Sequence, residues 1–336
     1  MISKEDFKKI FSGFQIKDVA VRGCDAFYFL IRNIEQGVKV SAISESDVDK
    51  RWVGFAPKLL SNNLGFTEFE GYAVLYLGAS HFPELKGVCI SSEGKVFVSG
   101  GGKKDREEIP IAKEGPRRGA IRRTRMIQGM AYAVGAGHSV CRRRGPKDWE
   151  SLCLNLPLGT PAEHDDVKKS EDMAFKDIDG FSHEDLYLVA GRGVVWHGNG
   201  KAWRRIPFPS NMLLESVCCA GDGYVYIGAQ SGTLFRGRAD HWEMIHRGDM
   251  SLPFKDIVWH ADRLWCTSDY GLWTVGQNKL KAVEDLPSEI KVCAGNLSAA
   301  DGVMLMGGAH GAAFHDGQKW RLIFNQYQME KSLEQS

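Results

Sequence analysis

The sequence predicts an all-β fold, a β-propeller of about seven four-stranded blades, on three observations. A short motif of apolar residue, Lys, Asp and β-branched residue recurs along the chain. About nine residues after each copy comes a second apolar run ending in small residues and a Gly turn. A further run then often opens on Trp.

The clearest copies are Ile16-Lys17-Asp18-Val19, Phe175-Lys176-Asp177-Ile178 and Phe254-Lys255-Asp256-Ile257. Degenerate copies read Leu85-Lys86-Gly87-Val88, Ile121-Arg122-Arg123-Thr124, Leu214-Glu215-Ser216-Val217 and Ile290-Lys291-Val292-Cys293. The second positions fall at 17, 86, 122, 176, 215, 255 and 291, with later intervals of 39, 40 and 36 residues. Short apolar runs joined by tight turns make antiparallel meanders. A lone meander leaves both faces wet, so radial packing of six to eight covers them. No helix-period segment separates the runs, which excludes a βαβ arrangement.

Two intervals are long. Residues 57–85 hold extra chain, including Gly71-Tyr72-Ala73-Val74-Leu75-Tyr76-Leu77-Gly78, expected as a hairpin insertion or half of an eighth blade. The polar stretch 153–174 is expected as a long surface loop. Ser3 with Asp6 marks a helix start, and Phe7, Ile10, Phe11 and Phe14 share one face, so residues 1–14 are expected as an amphipathic helix on a 15–324 propeller. Residues 325–336 form a polar tail, frayed or briefly helical. Trp149, Trp203, Trp242, Trp320 and Trp52 are expected to open outer strands.

With net charge +1, 43% hydrophobic residues and 9 Trp, 9 Tyr and 17 Phe, the chain is a globular protein with no global signal for nucleic acid or membrane. No run of 18 apolar residues and no secretion signal occur, so a cytoplasmic chain is expected. Its eight cysteines lack any CxxC pair and read as reduced, buried thiols.

The phrases RLWCTSDYGLWTV, YVYIGAQSGTLFRG and VMLMGGAHGAAFHDGQKW resemble the repeats of bacterial propellers of the BNR, YVTN and two-component-regulator type, over roughly residues 86–324. The resemblance implies the fold and a protein-binding platform rather than a particular activity. Some bacterial propellers of this kind resemble immunity proteins encoded beside secreted toxins. The sequence departs from sialidases: Ser268-Asp269-Tyr270-Gly271 lacks the spacing of an Asp-box.

No catalytic, cofactor or metal motif stands out. HExxH and GxSxG are absent, and Ser99-Gly100-Gly101-Gly102-Lys103-Lys104 lacks the spacing of a phosphate-binding loop. His138 and His310, and likewise His197 and His315, occupy matching repeat positions, as duplication alone would give.

Two cationic features suggest where a partner binds. Lys17, Lys86, Arg122, Lys176, Lys255 and Lys291, with Glu215 in the remaining unit, are expected to ring one mouth of the axis or to lock locally onto Asp18, Asp177 and Asp256. Nine cations fall within residues 117–147, among them Arg117, Arg118, Arg122, Arg123, Arg125, Arg142, Arg143 and Arg144. The expected function is non-enzymatic binding of an acidic protein surface by a monomer, with occlusion of a toxin as its sharpest form. The alternatives are a hydrolase or lyase with an axial site, and a scaffold for nucleic acid, for which stacking aromatics are not interleaved with the arginines.

Overall fold

The computed structural model describes residues 2–40, 44–59, 63–101, 103–276 and 279–335; Met1, residues 41–43, 60–62, Gly102, residues 277–278 and Ser336 lie outside them. Twenty-eight strands, β1 to β28 in chain order, form seven antiparallel sheets of four. The blades span residues 14–69, 75–108, 121–151, 175–206, 214–246, 256–282 and 296–325. Their innermost strands are β1 (Phe14–Gly23), β5 (Leu75–Ser80), β9 (Ile121–Ile127), β13 (Phe175–Ser182), β17 (Leu214–Cys219), β21 (Asp256–His260) and β25 (Asn296–Ala300).

The recurring motif has a structural cause. In blade 1, Ile16 pairs with Ile31 and Asp18 with Leu30, so Lys17 is skipped as a β-bulge. Arg122, Lys176 and Glu215 are skipped in the same way. In blade 6 Lys255 N–H and the Asp256 pairing both fall on Thr267. The following Asp then reaches sideways. Asp18 accepts from Leu77 N–H (2.8 Å), Asp177 from Val217 N–H (3.1 Å) and Asp256 from Leu297 N–H (3.0 Å). Each carboxylate thus staples its blade to the inner strand of the next, satisfying a buried donor. These aspartates serve the neighbouring backbone, not the lysines beside them.

Two copies of the motif were misplaced by the sequence. Lys86 opens β6 (Lys86–Ser91), the second strand of blade 2, and its ammonium donates to Gly100 O at 2.9 Å. The supposed insertion supplies β5 as the true inner strand, so no eighth half-blade exists among the described residues. Lys291 ends a short helix (Ser288–Lys291) that leads into blade 7. Both segments carry the apolar alternation of a buried strand or turn, which periodicity alone cannot assign to a blade position. Trp52 lies in β3 (Lys50–Phe55), a third strand, whereas Trp149, Trp203, Trp242 and Trp320 lie in outermost strands.

The ring closes by packing between blades 7 and 1. The N-terminal helix Lys4–Ile10, capped by Ser3, buries Phe7 and Ile10 there. Phe11, 1% exposed, lies 4.6 Å from Phe324 between ring centroids. Ser298 Oγ accepts from Val21 N–H (3.0 Å), and Ile2 N–H donates to Ile323 O. Phe14 belongs to β1, so the helix is shorter than expected. The tail folds as helix Gln326–Glu334, with Met329 and Leu333 against the same core.

Candidate functional site

All seven inner strands begin at one face, here called the upper face. It carries the connections between blades and the turns joining second to third strands; the lower face carries the remaining hairpin turns. The sequence-predicted cations divide among the upper face, the axis and β11, with Lys86 at a lower-face turn.

At the upper mouth, Lys17 is exposed and Arg122 half-buried, and neither makes an ion pair among the described residues. Lys176 lies between Glu171 (3.8 Å) and Glu215 (3.9 Å). Lys255 donates to Lys17 O at 3.1 Å, and burial lowers its pKa. The expected ring of six cations is therefore reduced to four, spread over blades 1, 3, 4 and 6, because Lys86 and Lys291 stand elsewhere. Local carboxylates offset part of its charge.

Below the mouth the axis is plugged. Arg123 and Arg125 occupy, in blade 3, the strand positions that hold Asp177 and Asp179 in blade 4. Arg125 grips Asp177 through two bonds of 2.8 Å and lies 3.3 Å from Asp256. Arg123 lies 3.3 Å from Asp177 and is hydrogen-bonded to Asp256 across the axis. Burial pushes the Asp177 carboxyl upward, but Arg125 and Arg123 outweigh it and hold its pKa below the ordinary carboxylate range. Asp179 receives N–H bonds from Cys219 (2.7 Å) and Gly180 (2.8 Å), yet burial raises its pKa to about 6. A cavity of about 150 Å³, lined by Asp18, Asp179, Asp256, Arg123, Arg125 and Trp259 among others, surrounds the plug. Its charges are turned on one another.

The remaining arginines of the block are mostly committed. Arg117 donates to Ile109 O, and Arg118 to the carbonyls of Lys113, Leu156 and Cys153. Arg142 pairs with Glu150. Arg143 is fully buried against Glu107 (2.6 Å), which also accepts from Trp149 Nε1 (3.2 Å). Arg144 alone of the eight is exposed. Sequence proximity suggested one surface patch. The alternation of β9 and β11 and the turn between blades disperse it instead.

The two faces differ in apolar exposure, which charge counting missed. Among the described residues, thirteen of the eighteen exposed large apolar side chains lie on the upper face; the others are Leu59, Phe82, Leu85, Tyr224 and Met244. Leu154 (72% exposed) and Val167 (81%) lie in the 152–174 connection, which carries two short helices, Pro161–Asp165 and Val167–Asp172. Isolated exposed leucines are ordinary, but a one-sided concentration marks a docking surface. The matching histidines diverge: His138 Nδ1–H donates to Pro157 O (3.0 Å), His197 meets Asp185 (2.9 Å) and His315 meets His260 (2.8 Å).

The molecule is thus a closed seven-bladed β-propeller with a plugged axis and most of its exposed apolar side chains on one face. Its fold is similar to the WD40 propeller domain of Doa1 (TM-score 0.57, 8% identity, 88% of this chain and 90% of that one). It is also similar to YCF48 bound to D1 peptide (0.55, 12%, 93% of each). PorZ, a surface component of the type-IX secretion system of Porphyromonas gingivalis, matches at 0.55 and 9% identity over 93% of this chain, which spans 38% of PorZ. At such identities the likeness is of fold alone. No protein-family profile matches the chain. The immune protein Tsi7 of Pseudomonas aeruginosa is 33% identical over 246 residues, 72% of this chain and 77% of Tsi7. The chain belongs to the Tsi7 family of immune proteins.

Proposed function

We propose that this chain is a non-enzymatic immunity protein that neutralises a protein toxin by covering it with the upper face. The observation that carries this reading is the concentration of exposed apolar side chains on that face, in a chain related to an immune protein. Lys17, Arg122, Lys176 and Lys255 at the mouth favour an acidic surface on the toxin and steer its approach. A ring of interlocked blades loses little conformational entropy on binding, so apolar burial is converted to affinity with small ordering losses. The protein acts as a monomer in the cytoplasm, in keeping with its eight free cysteines.

The test is affinity capture from the native host with three baits: wild type, an upper-face variant (Leu154→Asp, Leu213→Asp, Tyr270→Asp) and a lower-face variant (Leu59→Asp). The reading predicts that one polypeptide, toxic when expressed alone, is retained by wild type and by Leu59→Asp and lost by the upper-face variant. Equal retention by all three baits, or no toxic polypeptide with any of them, overturns it.

A further inference from the structure

One part of the upper face is shaped to receive a side chain. The connections 109–120 and 152–174 flank a groove of about 310 Å³ lined by Ile111, Lys113, Arg118, Leu158, Gly159 and His164, among others. Ile111 is 62% exposed and Leu158 47% exposed.

The walls are fixed before any partner arrives. The Arg118 guanidinium clips both connections together through Lys113 O (2.8 Å), Cys153 O (2.9 Å) and Leu156 O (3.0 Å). Asn155 exchanges hydrogen bonds with the Trp203 backbone at 2.9 and 3.0 Å. Thr160 and Glu163 form a capping box that starts the short helix bearing His164. The loop so tethered turns Leu154, Leu158 and Val167 to solvent.

The charges at the groove supply the second half of the argument. The Arg118 guanidinium is bonded only to carbonyls, and neither it nor Lys113 makes an ion pair among the described residues. Glu163, the carboxylate beside His164, is engaged by Thr160. No carboxylate is among the residues that line the groove, so its lining joins apolar walls to positive charge.

We infer that this groove seats an apolar side chain flanked by a carboxylate, presented by the protein partner. The inference rests on the reading above that the partner docks on the upper face, and it names the anchor. Leucine-sized burial would supply the attraction, and the carboxylate would meet Lys113 and the charge of Arg118.

The experiment uses the whole chain and a defined probe, N-acetyl-leucyl-glutamate amide, in a backbone-amide NMR titration to about 10 mM, the range in which so small a ligand binds. The expected result is saturable shifts confined to 109–120 and 156–164. Acetyl-glycyl-glutamate amide and acetyl-leucyl-lysine amide should each be weaker by at least about fivefold, since each lacks one of the two contacts. Leu158→Asp should abolish the response, and Leu59→Asp, on the lower face, should preserve it. No saturable shifts, equal binding of the lysine probe, or an undiminished response in Leu158→Asp overturns the inference. The titration needs no toxin, so its failure is distinct from failure to capture one.

Discussion

Arg123 of blade 3 meets Asp256 of blade 6 across the propeller axis, joining residues 133 positions apart in the chain. With Arg125 and Asp177 it ties three blades through groups that are nearly closed to water. A buried pair of this kind is costly to break, because the partner left behind keeps its charge without compensation. Arg125→Met should lower unfolding stability by about 3 kcal/mol, measured by urea denaturation. Adding Asp177→Asn should restore part of the loss, since the amide oxygen can still accept from Val217 N–H. A loss within the error of the method would show that the plug contributes nothing to the ring.

Arg143 and Arg144 are adjacent in sequence and opposite in environment. Arg143→Glu sets a carboxylate against Glu107 in a fully buried site and should abolish folding or reduce stability by more than about 3 kcal/mol. Arg144→Glu should change stability by less than about 0.5 kcal/mol. Paired thermal melts of the two variants check the contrast.

Ring closure rests on Phe11, which packs on Phe29 and Phe324. Phe11→Ala should cost about 4 kcal/mol, and early hydrogen exchange should appear in blades 1 and 7 before the other blades.

His260 gives the molecule an acid-sensitive point. Burial, and then the His315 imidazole, lower its pKa to about 4. In the unfolded chain an imidazole titrates near 6.5, so between these values the unfolded state binds the proton that the folded state excludes. The stabilising effect is full above about pH 6.5 and is lost as the pH falls toward 4. Urea midpoints at pH 7 and pH 5 should therefore fall more for wild type than for His260→Phe. An equal fall would contradict the assignment.

The fold was legible because the bulge and its Asp staple repeat at blade spacing. Ile16-Lys17-Asp18-Val19 and its two best copies announce both the inner strand and its tie to the next blade. Blades 2 and 7 were harder to read because Leu75-Tyr76 and Gly295-Asn296 replace both the charged bulge residue and the Asp there, whereas blades 3 and 5 keep the charged residue as Arg122 and Glu215. The motif search then slid to Lys86 and Lys291, which only imitate the pattern. The site was less legible than the fold. Arg123 and Arg125 look like surface charge in a linear count, and only the alternation of β9, set against aspartates 52 to 133 residues away, turns them inward. The apolar upper face is built from single residues on separate connections, such as Ile111, Leu158 and Tyr270. No local window collects them.

The most direct measurement is hydrogen–deuterium exchange of the chain alone and bound to the captured toxin. Docking by the upper face predicts slowed exchange in the 109–120, 152–174, 207–213 and 247–255 connections, with the lower-face turns at 56–59, 81–85 and 220–224 unchanged. Protection confined to the lower-face turns would contradict it.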